Sequence, residues 1–175
     1  LQLLGPQEAM HVTDDKVVVL SASDPNLLVN GSPILSGAVW NNGVFTYLGL
    51  GIREGQQPQT SLSGSAVWSA TADAKTIVGS SMTYIPNPEF PDDRTKDRAR
   101  TWPYSFTYNE ANAKYEGHVW AEPNNVLRNS IVTTISADGS LAAGWTELEG
   151  AAARKAILWK SPTNYQLIDE SQFPW

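Results

Sequence analysis

The chain has 175 residues, of which 41% are hydrophobic and 17% are charged, and its net charge is -6. This composition fits one folded domain and excludes a disordered chain, while the negative charge disfavours nucleic acid or an anionic membrane as a partner. Cysteine is absent, which excludes disulfides and thiolate metal sites.

Short β-rich runs, bounded by Gly, Pro, Asn and Asp, predict strands along the whole chain. The predicted strands are 17–20, 34–40, 44–48, 66–68, 76–78, 102–108, 118–120, 131–135, 141–145, 156–159 and 165–168. Between the second and third of these, Asn42 and Gly43 tolerate the positive φ angles of a type I′ turn and so predict a tight hairpin. Asp138 and Gly139 give a second signal of this kind.

The same order of parts recurs three times, with a period of about 60 residues. Each copy has an acidic turn, then an apolar strand, then a variable insertion, then a tryptophan. The acidic residues are Asp14, Asp73 and Asp138, and the tryptophans are Trp40, Trp102 and Trp159. The recurrence predicts a single repeat domain, 1–175, with units at roughly 8–50, 65–120 and 130–170.

Each unit reads as four antiparallel strands, so the chain is expected to be all-β, either β-propeller-like or a stacked-sheet array. Three units do not close a propeller, which needs at least four. The units would then belong to a larger ring, pair with copies of the same chain, or form a different stack. The apolar ends of the chain, 1–4 and 173–175, favour packing against another chain or against the rest of a longer polypeptide.

The repeated residues have structural explanations. We expect the three aspartates to accept hydrogen bonds from backbone N–H groups in their turns, rather than to form a metal ring. We expect the three repeated tryptophans to fill the core between sheets rather than to stack on sugars. Three other tryptophans do not occupy the repeated position and are better candidates for an exposed aromatic surface: Trp68, Trp120 and Trp175.

An acidic insertion in the second unit carries most of the candidate ligand-binding residues. They are Glu89, Asp92, Asp93, Arg94 and Asp97, together with Trp120. Mixed charges of this kind are typical of a solvated loop with local ion pairs, but carboxylates could also bind Ca²⁺ or serve a glycosidase as a pair. His11 and His118 are far apart in the sequence. Because the sequence has no nucleophile–base pair and no metal motif, we expect no catalytic residues, no metal site and no cofactor. Binding of Ca²⁺ is the alternative.

Two segments resemble the HAF-type extracellular repeat of bacterial secreted and surface proteins. The first is 135–145 with 156–159, and the second is 38–49. The middle unit departs from the pattern, because its turn lacks glycine and Pro103 follows Trp102. The resemblance implies a β-propeller-like fold and a location outside the cell or on its surface, and it supplies no catalytic residues.

The resulting hypothesis is a non-catalytic structural or adhesive protein that acts through assembly or ligand binding. A protein partner or self-association is expected, with carbohydrate as a further ligand, and neither nucleic acid nor membrane insertion is expected. The alternatives are a secreted carbohydrate-active enzyme that uses the insertion at 89–97, and a scaffold subunit of an extracellular filament or larger complex.

Overall fold

The computed structural model describes residues 7–29, 31–50, 64–85, 89, 92, 98–123, 129–148 and 154–168. These residues form twelve β-strands in three antiparallel sheets. Within these ranges no helix is long and apolar enough to cross a membrane.

Sheet 1 is a meander of four strands, each paired with the next along the chain. Its strands are β1 (Gln7–Val12), β2 (Val18–Val29), β3 (Ser32–Asn41) and β4 (Val44–Gly49). The β3–β4 hairpin has the predicted two-residue turn, since Asn42 and Gly43 have φ angles of 48° and 87°.

Sheet 2 repeats this topology. Its strands are β5 (Gly64–Ala70), β6 (Thr76–Ile85), β7 (Arg98–Asn109) and β8 (Lys114–Val119).

Sheet 3 has the same strand order again. Its strands are β9 (Ser130–Ile135), β10 (Ala142–Glu147), β11 (Arg154–Ser161) and β12 (Asn164–Leu167). The prediction of an all-β chain with three four-stranded antiparallel units is therefore confirmed.

The first turn of every sheet has the same backbone conformation. The N–H groups of Lys16, Ala74 and Gly139 each donate to the carbonyl three residues earlier, at 2.9 Å. The φ angles of these three residues are 62°, 55° and 75°, in the left-handed region that favours glycine. A single turn geometry therefore persists although only one of the three positions is glycine.

A hydroxyl and a carboxylate stabilise this turn in sheets 2 and 3. Asp73 Oδ1 accepts hydrogen bonds from Thr71 Oγ1 at 2.7 Å and from the Lys75 N–H at 3.0 Å. Asp138 Oδ1 is bonded in the same way to Ser136 Oγ at 2.7 Å and to the Ser140 N–H at 3.0 Å. The expected turn role is confirmed for these two aspartates.

In sheet 1 the equivalent acidic residue is Asp15, which lies two positions after Thr13 as Asp73 lies two positions after Thr71. The sequence alignment on Asp14 was therefore wrong by one residue. The first turn is one residue shorter than the others, because the Thr13 N–H donates to Val17 whereas the Thr71 N–H donates to Thr76.

The strand register also corrects the tryptophan alignment. Val18 pairs with Trp40 and Ala142 pairs with Trp159, but the residue that pairs with Ile77 is Phe106. Trp102 is thus not the equivalent of the other two tryptophans, because it pairs with Ser81, four residues beyond Ile77 in β6.

Burial of the repeated tryptophans is confirmed for two of the three. Trp102 and Trp159 are 2% and 0% exposed, whereas Trp40 is only half-buried. The Arg100 guanidinium lies over the Trp102 ring, 3.4 Å from its centroid. Arg100 also forms a buried ion pair with Glu122, in the segment that leads towards sheet 3.

The first strand of each sheet carries a β-bulge at the same place. The extra residues are Met10, Trp68 and Thr133, opposite Leu20, Gly79 and Gly144 of the second strands. Trp68 occupies such a bulge and is half-buried. The expected exposure of Trp68 is therefore only partly confirmed. Trp175, the other tryptophan expected to be exposed, lies outside the described residues.

Sheet 2 lies between the other two, and the first strand of each later sheet contacts the preceding one. Strand β5 packs on β2 and β3, where the Val67 N–H donates to Ser21 Oγ at 3.3 Å. A Cβ on Gly37 would lie 2.6 Å from Val67 Cγ1, so only glycine allows this approach. Strand β9 packs on β6 and β7 in the same manner, and the three sheets form a stacked array.

Candidate functional site: a cleft between sheets 1 and 2

A cleft of about 480 Å³ opens between sheets 1 and 2, at the end of the sheets that carries their first turns. Three turns meet there: the β3–β4 hairpin, the turn between β5 and β6, and the β7–β8 hairpin. The lining residues are Val17, Val39, Asn41, Asn42, Val44, Thr46, Asp73, Ala74, Lys75, Tyr108, Ala113 and Tyr115. A volume of this size is typical of small-molecule sites.

One wall of the cleft is aromatic. The rings of Tyr108 and Tyr115 meet edge to face, with their centroids 5.2 Å apart. The Tyr115 hydroxyl donates to the Ala74 carbonyl oxygen at 2.9 Å. Burial, with smaller contributions from Tyr108 and Asp73, raises the pKa of Tyr115 to about 12, so this phenol stays neutral and acts as a fixed hydrogen-bond donor.

The opposite wall comes from sheet 1 and offers amides and a hydroxyl. The Asn41, Asn42 and Thr46 side chains are exposed to solvent, beside the apolar side chains of Val39 and Val44. An amide can both donate and accept hydrogen bonds. The wall is therefore suited to ligands that carry several hydroxyl groups.

The charged groups at the cleft are one ammonium group, Lys75, and two carboxylates, Asp73 and Glu110. Hydrogen bonds from the Lys75 N–H and from Thr71 lower the pKa of Asp73. Lys75 pairs with Glu110, and this hydrogen bond raises the pKa of Lys75 and lowers that of Glu110. Because Lys75 is neutralised by Glu110, the ionised Asp73 leaves one negative charge at the cleft, which disfavours an anionic ligand.

The acidic insertion predicted from the sequence is only partly described. Glu89 and Asp92 are exposed and do not line the cleft. Asp93, Arg94 and Asp97 lie outside the described residues, so their proposed joint site stays a prediction. Within the described part of the chain, no three His, Cys, Asp or Glu side chains form a group that could hold a metal ion.

The expectation that Trp120 lies on an exposed aromatic surface is wrong. Trp120 is only 4% exposed and packs edge to face on Trp159, with ring centroids 5.8 Å apart. Its indole N–H donates to Ser105 Oγ at 2.8 Å. Trp120 directly follows β8, and at that position it fills the interface between sheets 2 and 3.

Asn42 and Asp73 were assigned from the sequence only to turns, and the cleft itself was not predicted, although one signal was available. Asn42, Asp73 and Lys75 all lie in turns at the same end of neighbouring units. Turns at one end of a repeat array lie side by side in the folded protein, so residues of this kind could have been grouped before the structure was known.

Comparison of the chain with protein-family models, with curated proteins and with solved structures found no match.

Proposed function

We propose that this chain is a non-catalytic structural or adhesive repeat protein of the cell surface or extracellular space, and that it binds a neutral saccharide in the cleft between sheets 1 and 2. The location is supported by the resemblance of residues 38–49, and of residues 135–145 with 156–159, to HAF-type extracellular repeats. The binding role is supported by the chemistry of the cleft.

The composition of the cleft walls carries this proposal. Saccharides present an apolar ring face together with a rim of hydroxyl groups. Tyr108 supplies an amphipathic ring, while Asn41 and Asn42 supply donors and acceptors at the opposite wall. A few convergent polar groups in a partly apolar cleft are the usual composition of a small-ligand site.

The carboxylate in the cleft supports binding rather than hydrolysis. Glycoside hydrolysis normally uses two carboxyl groups, one of which must be protonated to act as an acid. Of the described lining residues, Asp73 alone carries a carboxyl group. Its pKa is lowered by the hydrogen bonds that hold the turn, which leaves it a poor proton donor.

The test is a screen of the full chain against neutral oligosaccharides by ligand-observed NMR, followed by calorimetric titration of any that bind. Asn41→Ala should weaken binding about tenfold or more, through loss of amide hydrogen bonds. Asn164→Ala is the matched control, because Asn164 is also an exposed hairpin asparagine but belongs to sheet 3. Absence of saccharide binding, or equal binding by both variants, would overturn the proposal.

A further inference from the structure

Two turns of the chain place a glycine directly after a side chain that the backbone nitrogen of the glycine can attack. They are the β3–β4 hairpin, with Asn42 and Gly43, and the first turn of sheet 3, with Asp138 and Gly139. Asparagine is a thermally labile residue, and a following glycine has no side chain to obstruct its nitrogen. The attack closes a succinimide ring, so both pairs are candidates for spontaneous backbone chemistry.

The β3–β4 hairpin leaves both reacting groups accessible. Asn42 and Gly43 are exposed to solvent. Within the described residues, neither the Asn42 side chain nor the Gly43 N–H group takes part in a hydrogen bond. A Cβ built on Gly43 would meet nothing within 4 Å. The amide carbon of Asn42 and the nitrogen of Gly43 are therefore free to react in the folded protein.

The turn in sheet 3 protects the corresponding pair. The Gly139 N–H donates to the Ser136 carbonyl oxygen at 2.9 Å, so the attacking nitrogen is engaged. Asp138 Oδ1 accepts hydrogen bonds from Ser136 Oγ at 2.7 Å and from Ser140 Oγ at 2.8 Å, and such bonds lower the pKa of Asp138 to about 2. An ionised carboxylate has no leaving group that a nitrogen could displace, so this turn should be inert while the protein is folded.

The hairpin also contains an internal reference for Asn42. Asn41 is exposed as well, but it is followed by Asn42, which carries a side chain. Elsewhere in the described part of the chain, asparagines are likewise followed by residues other than glycine, and Asn129 Oδ1 is held by the Thr101 N–H at 2.9 Å. Asn30, which precedes a glycine, lies outside the described residues. The structure thus singles out Asn42.

We propose that Asn42 is a site of spontaneous deamidation in the folded protein. The Gly43 nitrogen loses its proton to solvent base and attacks Cγ of Asn42. The new C–N bond forms as the Cγ–Nδ2 bond breaks, and ammonia leaves. Water then opens the succinimide ring at either carbonyl carbon, which gives aspartate or isoaspartate at position 42. Water is the only co-reactant, and no oxidant or reductant takes part.

The product changes the cleft between sheets 1 and 2. Asn42 lines this cleft together with the ionised Asp73, so deamidation adds a second negative charge and removes an amide donor. Isoaspartate also lengthens the backbone of a two-residue turn whose φ angles of 48° and 87° match the pairing of β3 with β4. An effect on saccharide binding rests on the function proposed above, whereas the modification itself does not.

The first experiment incubates the full, folded chain at neutral and at mildly alkaline pH. Peptide mass spectrometry follows each asparagine, with fragmentation that separates aspartate from isoaspartate. Asn42 should convert about tenfold faster than Asn41 or more, which corresponds to a barrier lower by about 1.4 kcal/mol. Conversion should rise with pH, because the nitrogen reacts after losing its proton. Equal conversion of Asn41 and Asn42, or a rate that does not depend on pH, would overturn the proposal.

The second experiment compares the folded chain with the chain in concentrated guanidinium chloride, where the protection given by the fold is lost. Conversion of Asn42 should change less than about tenfold on unfolding, whereas isoaspartate formation at Asp138 should increase about tenfold or more. Conversion of Asn42 in denaturant alone, or conversion of Asp138 as fast as that of Asn42 in the folded chain, would refute the assignment. Both measurements are made without a ligand, so their failure is distinguishable from a failure of saccharide binding.

Discussion

At the scale of single residues, the repeat is maintained by a hydroxyl group that precedes each first turn. The hydroxyl of Thr71 accepts the Thr76 N–H at 3.0 Å, and that of Ser136 accepts the Leu141 N–H at 3.0 Å. Thr13 accepts the Val17 N–H in the same way at 3.2 Å. Each hydroxyl oxygen accepts a hydrogen bond from the backbone N–H at the start of the second strand. Removing the hydroxyl therefore leaves that N–H group without an acceptor.

Replacing Thr71 by valine keeps the volume of this buried side chain but removes the hydroxyl. We expect the free energy of unfolding to fall by about 1–2 kcal/mol, because the Thr76 N–H and the Asp73 carboxylate each lose a partner. Urea denaturation followed by circular dichroism measures the change. Thr134→Val in sheet 3, where the side chain is exposed, should change stability much less, and equal losses in the two variants would contradict the assignment.

Asp138 should make stability depend on pH in the acidic range. Hydrogen bonds from Ser136 and Ser140 lower its pKa from 3.8 to about 2. A lowered folded-state pKa stabilises the fold above the unfolded-state value, and this contribution is lost as the pH falls from about 4 to about 2. The melting temperature of Asp138→Asn should therefore be below that of the wild type at pH 7, with the difference shrinking towards pH 2. A difference that does not depend on pH would count against this role.

Residue roles within a unit could be predicted from the sequence, but roles between units could not. The turn at Asn42 and Gly43 depends only on local backbone preferences, and it was predicted correctly. Trp120 was assigned to the surface because its burial depends on Trp159 in the next sheet. Trp102 was aligned as the tryptophan that follows the variable insertion, but the strand register pairs it with Ser81 and pairs Phe106 with Ile77.

At the scale of strands, the bulge in each first strand requires a small residue opposite it in sheets 2 and 3. A Cβ built on Gly79 would overlap the Ala66 carbonyl oxygen, and one on Gly144 would overlap that of Ile131. Both obstacles are backbone atoms of the bulged strand, which cannot rotate away as a flexible side chain would.

Gly79→Ala should therefore destabilise the protein by about 2 kcal/mol or more, because the strand pairing must shift to admit the methyl group. Gly64→Ala is a suitable control in the same sheet, since its Cβ would lie 3.4 Å from the nearest backbone atom, an ordinary contact. Thermal unfolding of the two variants would decide the question. Comparable melting temperatures would show that the bulge adapts easily.

The strands could be located from the sequence, but the cleft could not. Apolar runs between turn residues predicted most of the strands, whereas β1 was missed because Glu8 and His11 interrupt its apolar pattern. The cleft combines Asn41 with Tyr108 and Tyr115, which are more than 60 positions away in the sequence. Only the packing of sheet 2 on sheet 1 brings them together, and no local pattern encodes that geometry.

At the scale of the whole molecule, stability should be distributed unevenly along the stack. Sheet 2 is covered on both faces, by a cluster that includes Val19 and Ile77 on one side and one that includes Val78 and Trp159 on the other. The side chains of β12 are all exposed. Stability in a stacked array is approximately a sum of unit and neighbour terms, so the central unit gains most.

Hydrogen exchange measured by mass spectrometry should reflect this distribution. Peptides from β6 and β7 should exchange most slowly, and those from β12 should exchange fastest among the strands, because exchange follows local opening. Uniform exchange across the three sheets would contradict unit-by-unit stability.

The shared position of the bulges also determines how further sheets could be added to the stack. A bulge bends its strand and increases the local right-handed twist. The bulge residues Met10, Trp68 and Thr133 lie at the same register position. The three sheets therefore bend at the same point, and neighbouring sheets pack together with matching curvature. A single inserted residue per repeat thus determines the curvature of the stack. Moving that residue by two positions in one unit would change the orientation of every sheet beyond it.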